Sequence, residues 1–200
     1  MMDKNNIERI LTFLRSAEQL KNTIRSAHTS TGREESVAEH TWRLCLMAML
    51  LANNYPQIDT LKLIKLCIIH DLGEAISGDI PAIHQVPGVD KSIEERKDFL
   101  SLVEPLPDQL KAELISLWDE YDQAQTDEAK LTKALDKIET VLQHTQGKNP
   151  ADFDYGFNIP YGKKWTSFDT LTSQMRAKID KDTARLGRAN GTFLDSSLSV

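Results

Sequence analysis

The chain has 200 residues, enough for one domain that buries a sizeable hydrophobic core. Its 40% hydrophobic and 27% charged residues are typical of a globular protein, and the net charge of −6 argues against a broad surface for nucleic acids. No stretch approaches the roughly 18 apolar residues of a membrane span, and the polar N-terminus lacks a signal-peptide core. Cys45 and Cys67 lie within apolar helical patterns, which predicts reduced core residues and a cytoplasmic protein.

Hydrophobic spacing in the first half of the chain predicts three helices. The first covers residues 5–22, and the aperiodic, polar residues 23–35 then predict a loop. Ser36-Val37-Ala38-Glu39 has the pattern of a capping box, so the second helix is expected to begin at Val37 and to end before Tyr55-Pro56. Asp59 is the expected cap of the third helix, which we expect to run to about Gly73.

The second half of the chain predicts further helices and one long loop. The helices are expected over residues 90–104, 108–124 and 167–186, with another opening at Thr126 or Asp127, whereas residues 82–89 are irregular. Residues 147–165 carry five aromatic side chains in a loop long enough to predict a function or an interface. The small, polar residues 187–200 predict a disordered tail. Because no segment alternates as a strand does, the predicted fold class is all-α.

Two histidines are expected on the inner faces of neighbouring helices. His40 continues the apolar stripe of the second helix in its first turn, where the helix dipole keeps an imidazole neutral. His70 and Asp71 end the apolar run of the third helix. Burying such groups is costly unless something pairs with them, and a divalent metal does so. Nitrogen and oxygen ligands suit Mn, Fe, Co or Zn, with Mg also possible.

The fourth metal ligand and the role of Glu74 stay open at this point. Asp119, Asp122, Asp127 and Asp136 are all candidates, and periodicity places Asp136 off the apolar stripe, as a solvated surface carboxylate would be. Glu74 is either a helix-end acid that points to solvent or, three residues after Asp71, a group that takes a proton from water. Arg25 and Arg33 are solvated loop cations unless they bind an anion.

These residues resemble the HD-domain metal-dependent phosphohydrolases. His40, then His70-Asp71 thirty residues later, then Asp136 follow the order of that superfamily. Glu35-Ser36-Val37-Ala38-Glu39-His40 and the run HDLGEAISGDIP from His70 to Pro81 look more narrowly like the YfbR-like 5′-deoxynucleotidases. The resemblance spans roughly residues 7–145, and the sequence has no second metal motif of the kind that marks binuclear HD phosphodiesterases.

The resemblance implies a role for each residue of the motifs. His40, His70, Asp71 and Asp136 would hold one divalent cation, Glu74 would act as the acid/base carboxylate, and Arg25 would orient the phosphate. Asp79 would contact the deoxyribose, with Ile80, Pro81 and Ala82 near the nucleoside. Bacterial members commonly follow that arginine with Trp, where this chain has Ser26. The preference for deoxyribose over ribose is therefore expected to be weaker here.

The resemblance also implies an organisation and an activity. We expect a single HD-domain helical bundle over residues 1–186, with an extra C-terminal helix and the long aromatic loop, assembled as a homodimer. The expected activity is a phosphomonoesterase that acts on deoxyribonucleoside 5′-monophosphates, with no nucleic-acid or membrane partner. The alternatives are an HD phosphohydrolase of nucleoside triphosphates, cyclic nucleotides or alarmones, and a catalytically silent protein that binds a metal and a nucleotide.

Overall fold

The structure is a computed structural model that describes residues 3–84 and 91–193. Over these residues the chain is all-α apart from one two-stranded sheet, as predicted. The strands are β1 (Ile24–His28) and β2 (Glu34–Ser36). The helices are α1 (Lys4–Ala17), α2 (Val37–Leu51), α3 (Thr60–Ile69), α4 (Glu74–Ser77), α5 (Lys91–Val103), α6 (Asp108–Gln123), α7 (Asp127–Gln146), α8 (Tyr155–Asn158), α9 (Lys163–Thr166) and α10 (Thr170–Ala189).

The chain forms two compact units. The first comprises the residues up to Arg25 together with Ser36–Thr132, and the second comprises Ser26–Glu35 together with the residues from Lys133 onward. The single domain over residues 1–186 stays a prediction. Among the described residues, no helix combines the length and the hydropathy that crossing a membrane requires.

Side-chain caps set the starts of the first three helices, as the sequence predicts for α2 and α3; α1 ends at Ala17, five residues before its predicted end. Asp3 accepts a hydrogen bond from the backbone of Asn6 at the start of α1, and Asp59 accepts one from the backbone of Lys62 at the start of α3. The capping box of α2 is complete, because the Ser36 hydroxyl accepts from Glu39 N–H and the Glu39 carboxylate accepts from Ser36 N–H. Helix α2 therefore begins at Val37.

Helix α3 ends at Ile69, four residues before the predicted end. The chain then continues in tight turns, with N–H groups of residues 72, 74, 75 and 76 bonded to carbonyls three residues earlier. Gly73 lies in these turns, at a point where a Cβ atom would stand 2.8 Å from the Glu95 carbonyl oxygen of α5. Because the two backbones approach this closely, only glycine fits at the turn. The turn leaves His70 as the C-cap of α3.

The segment predicted as a loop over residues 23–35 contains both strands of the sheet, so that prediction was wrong. Strands β1 and β2 are hydrogen-bonded neighbours, joined by a connection in which Thr29 N–H donates to the Arg33 carbonyl over 2.7 Å. The five residues of β1 carry no apolar alternation, which is the signal that a strand needs to be recognised.

The first unit has its hydrophobic core between α2, α3, α5 and α6. Phe99 and Trp118 stack there with ring centroids 5.7 Å apart, and both are buried. Cys67 is buried and Cys45 half-buried, both as free thiols that are joined by a hydrogen bond. This confirms the prediction of reduced core cysteines. Leu44, Leu63, Leu66 and Val103 are also fully buried.

The second unit contains most of α7 and the C-terminal helices. Helix α7 has no exposed residue from Glu128 to Thr145. The predicted loop 147–165 includes the short helices α8 and α9, which pack against α10. Helix α10 extends to Ala189, so residues 187–189 are helical and were wrongly predicted as part of the tail. Residues 194–200 of that tail, like residues 85–89 of the irregular segment, lie outside the described residues.

Candidate active site and metal-ligand group

His40 lies in the first turn of α2, on the face that the sequence predicts. Its side chain is fully buried, and the capping box just before it holds the start of the helix in place. The ring stands 5.6 Å from the ring of His70, measured between centroids. The positive end of the α2 dipole disfavours a second positive charge here, and it therefore favours the neutral imidazole, which is the form that binds metals.

His70 is oriented by the backbone of its own helix. Its Nδ1 lies 2.8 Å from the Cys67 carbonyl oxygen, so Nδ1 carries the proton and Nε2 carries the lone pair. The ring of Tyr121 meets it edge-on at 5.4 Å. A histidine fixed through one nitrogen in this way presents the other nitrogen as a ligand.

Asp71 brings a carboxylate to the same point. Its Oδ2 lies 3.0 Å from His70 Nε2 and 3.9 Å from His40 Nε2. One ligand atom from each of the three residues falls within 4.8 Å of the other two. We refer to His40, His70 and Asp71 as the metal-ligand group.

The metal-ligand group fits a divalent cation. His70 Nε2 is buried, and the Asp71 Oδ2 that lies 3.0 Å from it is itself an acceptor, so its lone pair meets no proton donor among the described residues. A metal ion satisfies such an atom, and two imidazole nitrogens with one carboxylate oxygen form a set of donors that a borderline divalent ion accepts. The sequence predicted these three residues as ligands, and the structure brings them together.

Arg25 is the cation beside this group. Its side chain is only 11% exposed, and Nη1 lies 3.5 Å from Asp71 Oδ2. The alternative that Arg25 is a solvated loop residue is therefore wrong. Arg33, in contrast, is exposed and donates to the Glu34 carbonyl.

Glu74 is buried at the start of α4, so the alternative of a helix-end acid that points to solvent is wrong. Burial raises the pKa of its carboxyl, the negative charges of Asp71 and Asp79 raise it too, and Arg25 and Lys91 lower it, so that the pKa is about 10. A carboxyl with a raised pKa stays protonated near neutral pH, and an acid/base group needs both protonation states within reach.

The loop after α4 carries the residues predicted to contact the nucleoside. Gly78 has a φ of 85°, which reverses the chain direction there and which other residues rarely adopt. Asp79 follows half-buried, and burial raises the pKa of its carboxyl, opposed by Arg25. Ile80 is exposed, while Pro81 and Ala82 are half-buried. Their contacts with a nucleoside stay a prediction.

Asp136 is the one buried residue among the four candidates for a fourth ligand. It lies on α7 in the second unit, 3% exposed, with Oδ2 2.8 Å from Lys137 Nζ. The alternative of a solvated surface carboxylate is therefore wrong, and its role as a ligand stays a prediction. Arg96 binds Asp119 at 2.8 and 3.1 Å, and Asp122 and Asp127 are exposed. Ser26 is exposed in the second unit, and its role in sugar selection also stays a prediction.

Sequence reasoning missed two features. Lys91, at the start of α5, places its Nζ 3.8 Å from Glu74 Oε1, and the sequence analysis did not single it out. In the second unit, Glu35 and Glu139 are buried, with carboxylate oxygens within 4.8 Å of each other. Glu35 lies inside the first family motif, so the sequence did point to it. For Glu139, the sequence offered only its position three residues after Asp136.

Comparison with known proteins identifies the family. A model of the HD domain family matches residues 17–176, which is most of the chain. The chain is 34% identical to human 5′-deoxynucleotidase HDDC2 over 139 residues, or 68% of this chain and 67% of the human protein. This chain belongs to the HD domain family, on its 5′-deoxynucleotidase branch. This confirms the resemblance that the two sequence motifs indicated.

Further relatives agree with this assignment, and a solved structure shows the same fold. The 5′-deoxynucleotidase HDDC2 of Xenopus laevis is 33% identical over 77% of this chain and 79% of its own length, and hdd1 of Schizosaccharomyces pombe is 36% identical over 67% and 70%. The crystal structure of a predicted metal-dependent phosphohydrolase from Magnetospirillum magnetotacticum superposes with a TM-score of 0.76. It is 24% identical and aligns over 95% of this chain and 99% of that chain, which shows a shared fold.

Proposed function

We propose that this chain hydrolyses deoxyribonucleoside 5′-monophosphates to the deoxynucleoside and phosphate. The observation that carries the proposal is the arrangement around Asp71. Two buried histidines that face this carboxylate form a site for a cation, Arg25 lies 3.5 Å away, and the protonatable Glu74 is buried nearby. The relatives named 5′-deoxynucleotidase support the substrate class.

The reaction needs a cation, an anion-binding group and a proton carrier. A divalent ion held by the metal-ligand group, with Asp136 as proposed fourth ligand, would supply Lewis acidity that polarises the phosphoryl group. Arg25 binds and orients the phosphate, because its guanidinium donates in the plane that phosphate oxygens accept. Arg25 Nη1 already donates to Asp71 Oδ2, and this contact limits the rotation of the arginine side chain.

Glu74 carries the proton in this scheme. It gives its proton to the 5′-oxygen as the ester P–O bond breaks, and it takes one from the attacking water, so the enzyme ends unchanged. The raised pKa favours the protonated form that the leaving oxygen requires. Asp79 would accept a hydrogen bond from the 3′-hydroxyl of the sugar, with Ile80, Pro81 and Ala82 near the nucleoside.

The metal is proposed to be Mn, Co, Fe, Zn or Mg, bound as a single ion. Two imidazoles and carboxylate oxygens favour the borderline ions of this set over Mg, which prefers oxygen ligands and keeps its waters. A screen of phosphate release separates the candidate functions. Nucleoside mono-, di- and triphosphates, cyclic nucleotides and alarmones are offered in deoxy and ribo forms, with each divalent ion and without any.

The expected result is release from deoxynucleoside monophosphates that depends on added metal. Preferred hydrolysis of a triphosphate, cyclic nucleotide or alarmone would replace this function by that of another HD phosphohydrolase. Tight nucleotide binding by calorimetry without any release would indicate the catalytically silent alternative. The buried Glu74 and the fixed Arg25 favour turnover, because a protein that only binds has no use for a buried proton carrier.

A homodimer in the cytoplasm is part of the same proposal. The aromatic segment 147–165 does not support it, because Arg176 of α10 binds the carbonyls of this segment within one chain. Support comes from α2, whose residues 44–51 are all apolar and which exposes Trp42, Met49 and Leu50. A helix of this kind is normally covered. Light scattering that gives a mass near 22.6 kDa at micromolar concentration would exclude the dimer.

A further inference from the structure

We infer that Lys91 is a positioning residue that holds the Glu74 carboxyl group in one orientation for proton transfer. The inference rests on the proposed function, since it assigns Glu74 a proton to carry. Lys91 is the first residue of α5, and its Nζ lies 3.8 Å from Glu74 Oε1.

Lys91 differs from the solvated lysines of its own helix. Its side chain is 28% exposed, whereas that of Lys97, which pairs with Glu94 on the same helix, is 74% exposed. Removing an ammonium group from water is unfavourable unless carboxylates replace the lost hydration. The pKa of Lys91 is raised despite its burial, because Glu95, Glu74 and Asp71 all favour its charged form. Lys91 is therefore held toward the site.

The tether of Lys91 is Glu95, one turn further along α5. Nζ lies 2.5 Å from Glu95 Oε1, which fixes the long side chain at its tip. The backbone carbonyl of Glu95 in turn packs closely against Gly73, the residue that precedes Glu74. The separation between Lys91 and Glu74 is thus set by backbone packing rather than by two free side chains.

The two oxygens of Glu74 have different surroundings. Oε1 faces Lys91, whereas Oε2 is buried and makes no hydrogen bond to any described residue. An ammonium group that engages one oxygen restricts rotation of the carboxyl group and leaves the other oxygen for the substrate. Proton transfer depends steeply on such alignment, because a displacement of about 1 Å costs up to about a hundredfold in rate.

A double-mutant cycle tests this inference. We compare the wild type, Lys91→Met, Glu74→Gln and the double variant, with Lys97→Met as the matched control on the same helix and Lys91→Arg as the conservative replacement. Lys91→Met is expected to lower kcat at least about tenfold with KM changed less than about twofold, and Lys91→Arg to restore part of it. In the Glu74→Gln background, Lys91→Met is expected to change kcat less than about twofold, because no carboxylic acid remains to be aligned.

Three results contradict the inference. An unchanged kcat in Lys91→Met excludes the role. A rise in KM at constant kcat would make Lys91 a phosphate-binding residue instead, and an equal loss in both backgrounds would make its effect independent of Glu74. Lys97→Met is expected to behave as the wild type in every assay.

A second readout does not depend on turnover. In the metal-free proteins, the fall in unfolding temperature caused by Lys91→Met is expected to be smaller in the Glu74→Gln background than in the wild type, since the two side chains interact. Equal falls would show that they do not, even if no nucleotide were hydrolysed. A wild type that releases no phosphate but shows this coupling would reject the proposed function while retaining the contact.

Discussion

Two buried polar clusters in this chain are built on opposite principles. In the second unit, Arg176 is 3% exposed, and each of its three nitrogens donates a hydrogen bond: Nε to Asp180, Nη1 to the Tyr161 carbonyl, and Nη2 to two further carbonyls. In the first unit, Glu74 Oε2 is buried without a hydrogen bond to a described residue, and the buried His70 Nε2 faces another acceptor, Asp71 Oδ2, at 3.0 Å. The protein thus completes one cluster by itself and leaves the other for a ligand.

The difference separates structural from functional burial. A polar group without a partner in the interior costs about 1–3 kcal/mol, so a folded chain keeps one only where something else compensates for the loss. The cluster around Arg176 needs nothing beyond the chain, whereas the metal-ligand group has a set of donors that fits a cation. Substitutions in the two clusters should therefore have opposite consequences for stability and for activity.

The largest expected effect comes from the metal-ligand group itself. His70→Ala is expected to lose the bound metal and to reduce phosphate release to the rate without enzyme, because it removes a ligand while leaving the core residues in place. Asp136→Ala is expected to do the same if Asp136 is the fourth ligand. Metal content by mass spectrometry and phosphate release measure both. A full equivalent of metal in both variants would contradict the assignment, and retention in Asp136→Ala alone would place the fourth ligand elsewhere.

The next largest effect is expected at Glu74. Glu74→Ala is expected to keep the metal and to lower kcat about 10²–10⁴-fold, because it removes proton transfer and not coordination. The measurement is a rate at saturating metal, with metal content determined on the same sample. A rate equal to that of the wild type would exclude Glu74 as the acid/base group.

Arg176 is expected to affect stability instead. Arg176→Met leaves three carbonyls and Asp180 without their donor and is expected to cost about 3–5 kcal/mol in the free energy of unfolding. Arg185→Met, on the same helix at an exposed ion pair with Asp182, is expected to change it by less than about 0.5 kcal/mol. Urea unfolding measures both. Similar effects of the two variants would show that the cluster around Arg176 contributes no more to the free energy of unfolding than an exposed ion pair.

A pH dependence of stability is expected from Glu74 in the metal-free protein. The pKa of its carboxyl is about 10 in the folded state and about 4.5 in an unfolded chain, so the folded state retains a proton that the unfolded state loses between these values. This stabilising contribution is complete below pH 4.5 and is lost as the pH rises. Glu74→Gln, which cannot ionise, is therefore expected to be more stable than the wild type by about 3–5 kcal/mol at pH 7–8.

Unfolding midpoints of the two proteins as a function of pH check this expectation. Their difference should shrink toward pH 4.5, where both carry a neutral group at position 74. A difference that is constant with pH would mean that the ionisation of Glu74 plays no part.

The smallest effect is expected at an exposed position that belongs to neither cluster. Ser26→Trp is expected to increase the ratio of kcat/KM for a deoxynucleotide over its ribonucleotide about tenfold, because a rigid ring would restore a wall against the 2′-hydroxyl. Discrimination by a hydrophobic pocket is worth about 1–3 kcal/mol, which sets the upper limit for the change in this ratio. Ser26→Ala serves as the control. An unchanged ratio in an active Ser26→Trp enzyme would show that position 26 does not face the sugar.

The sequence predicted best where a local signal and the tertiary structure agree. The capping box of α2 fixes its first residue, and from that residue the periodicity places His40 on the inner face. The end of α3 was predicted poorly, because the approach of α5 to Gly73 is a tertiary contact without a local signal. Lys91 was missed for the same reason, since its Glu95 pair alone looks like an ordinary exposed pair on a helix.

Helix α7 shows a second limit of the sequence. Its stripe from Leu131 to Leu142 was taken to be the buried face, with Asp136 outside it. The structure buries all sides of this helix, so Thr132, Asp136 and Glu139 are inside although their pattern is that of a solvated face. Amphipathic periodicity identifies the most apolar side of a helix, and it cannot show that the polar side is also covered.

Gly73 gives the candidate site a sensitive position that has no functional group. Gly73→Ala adds only one methyl group. That methyl group would nevertheless collide with the carbonyl of Glu95 and push α5 outward. Lys91 would move with its helix, away from Glu74. A survey that ranks variants by the reactivity of the altered side chain would overlook this position. A single methyl group there nevertheless changes the spacing between Lys91 and Glu74.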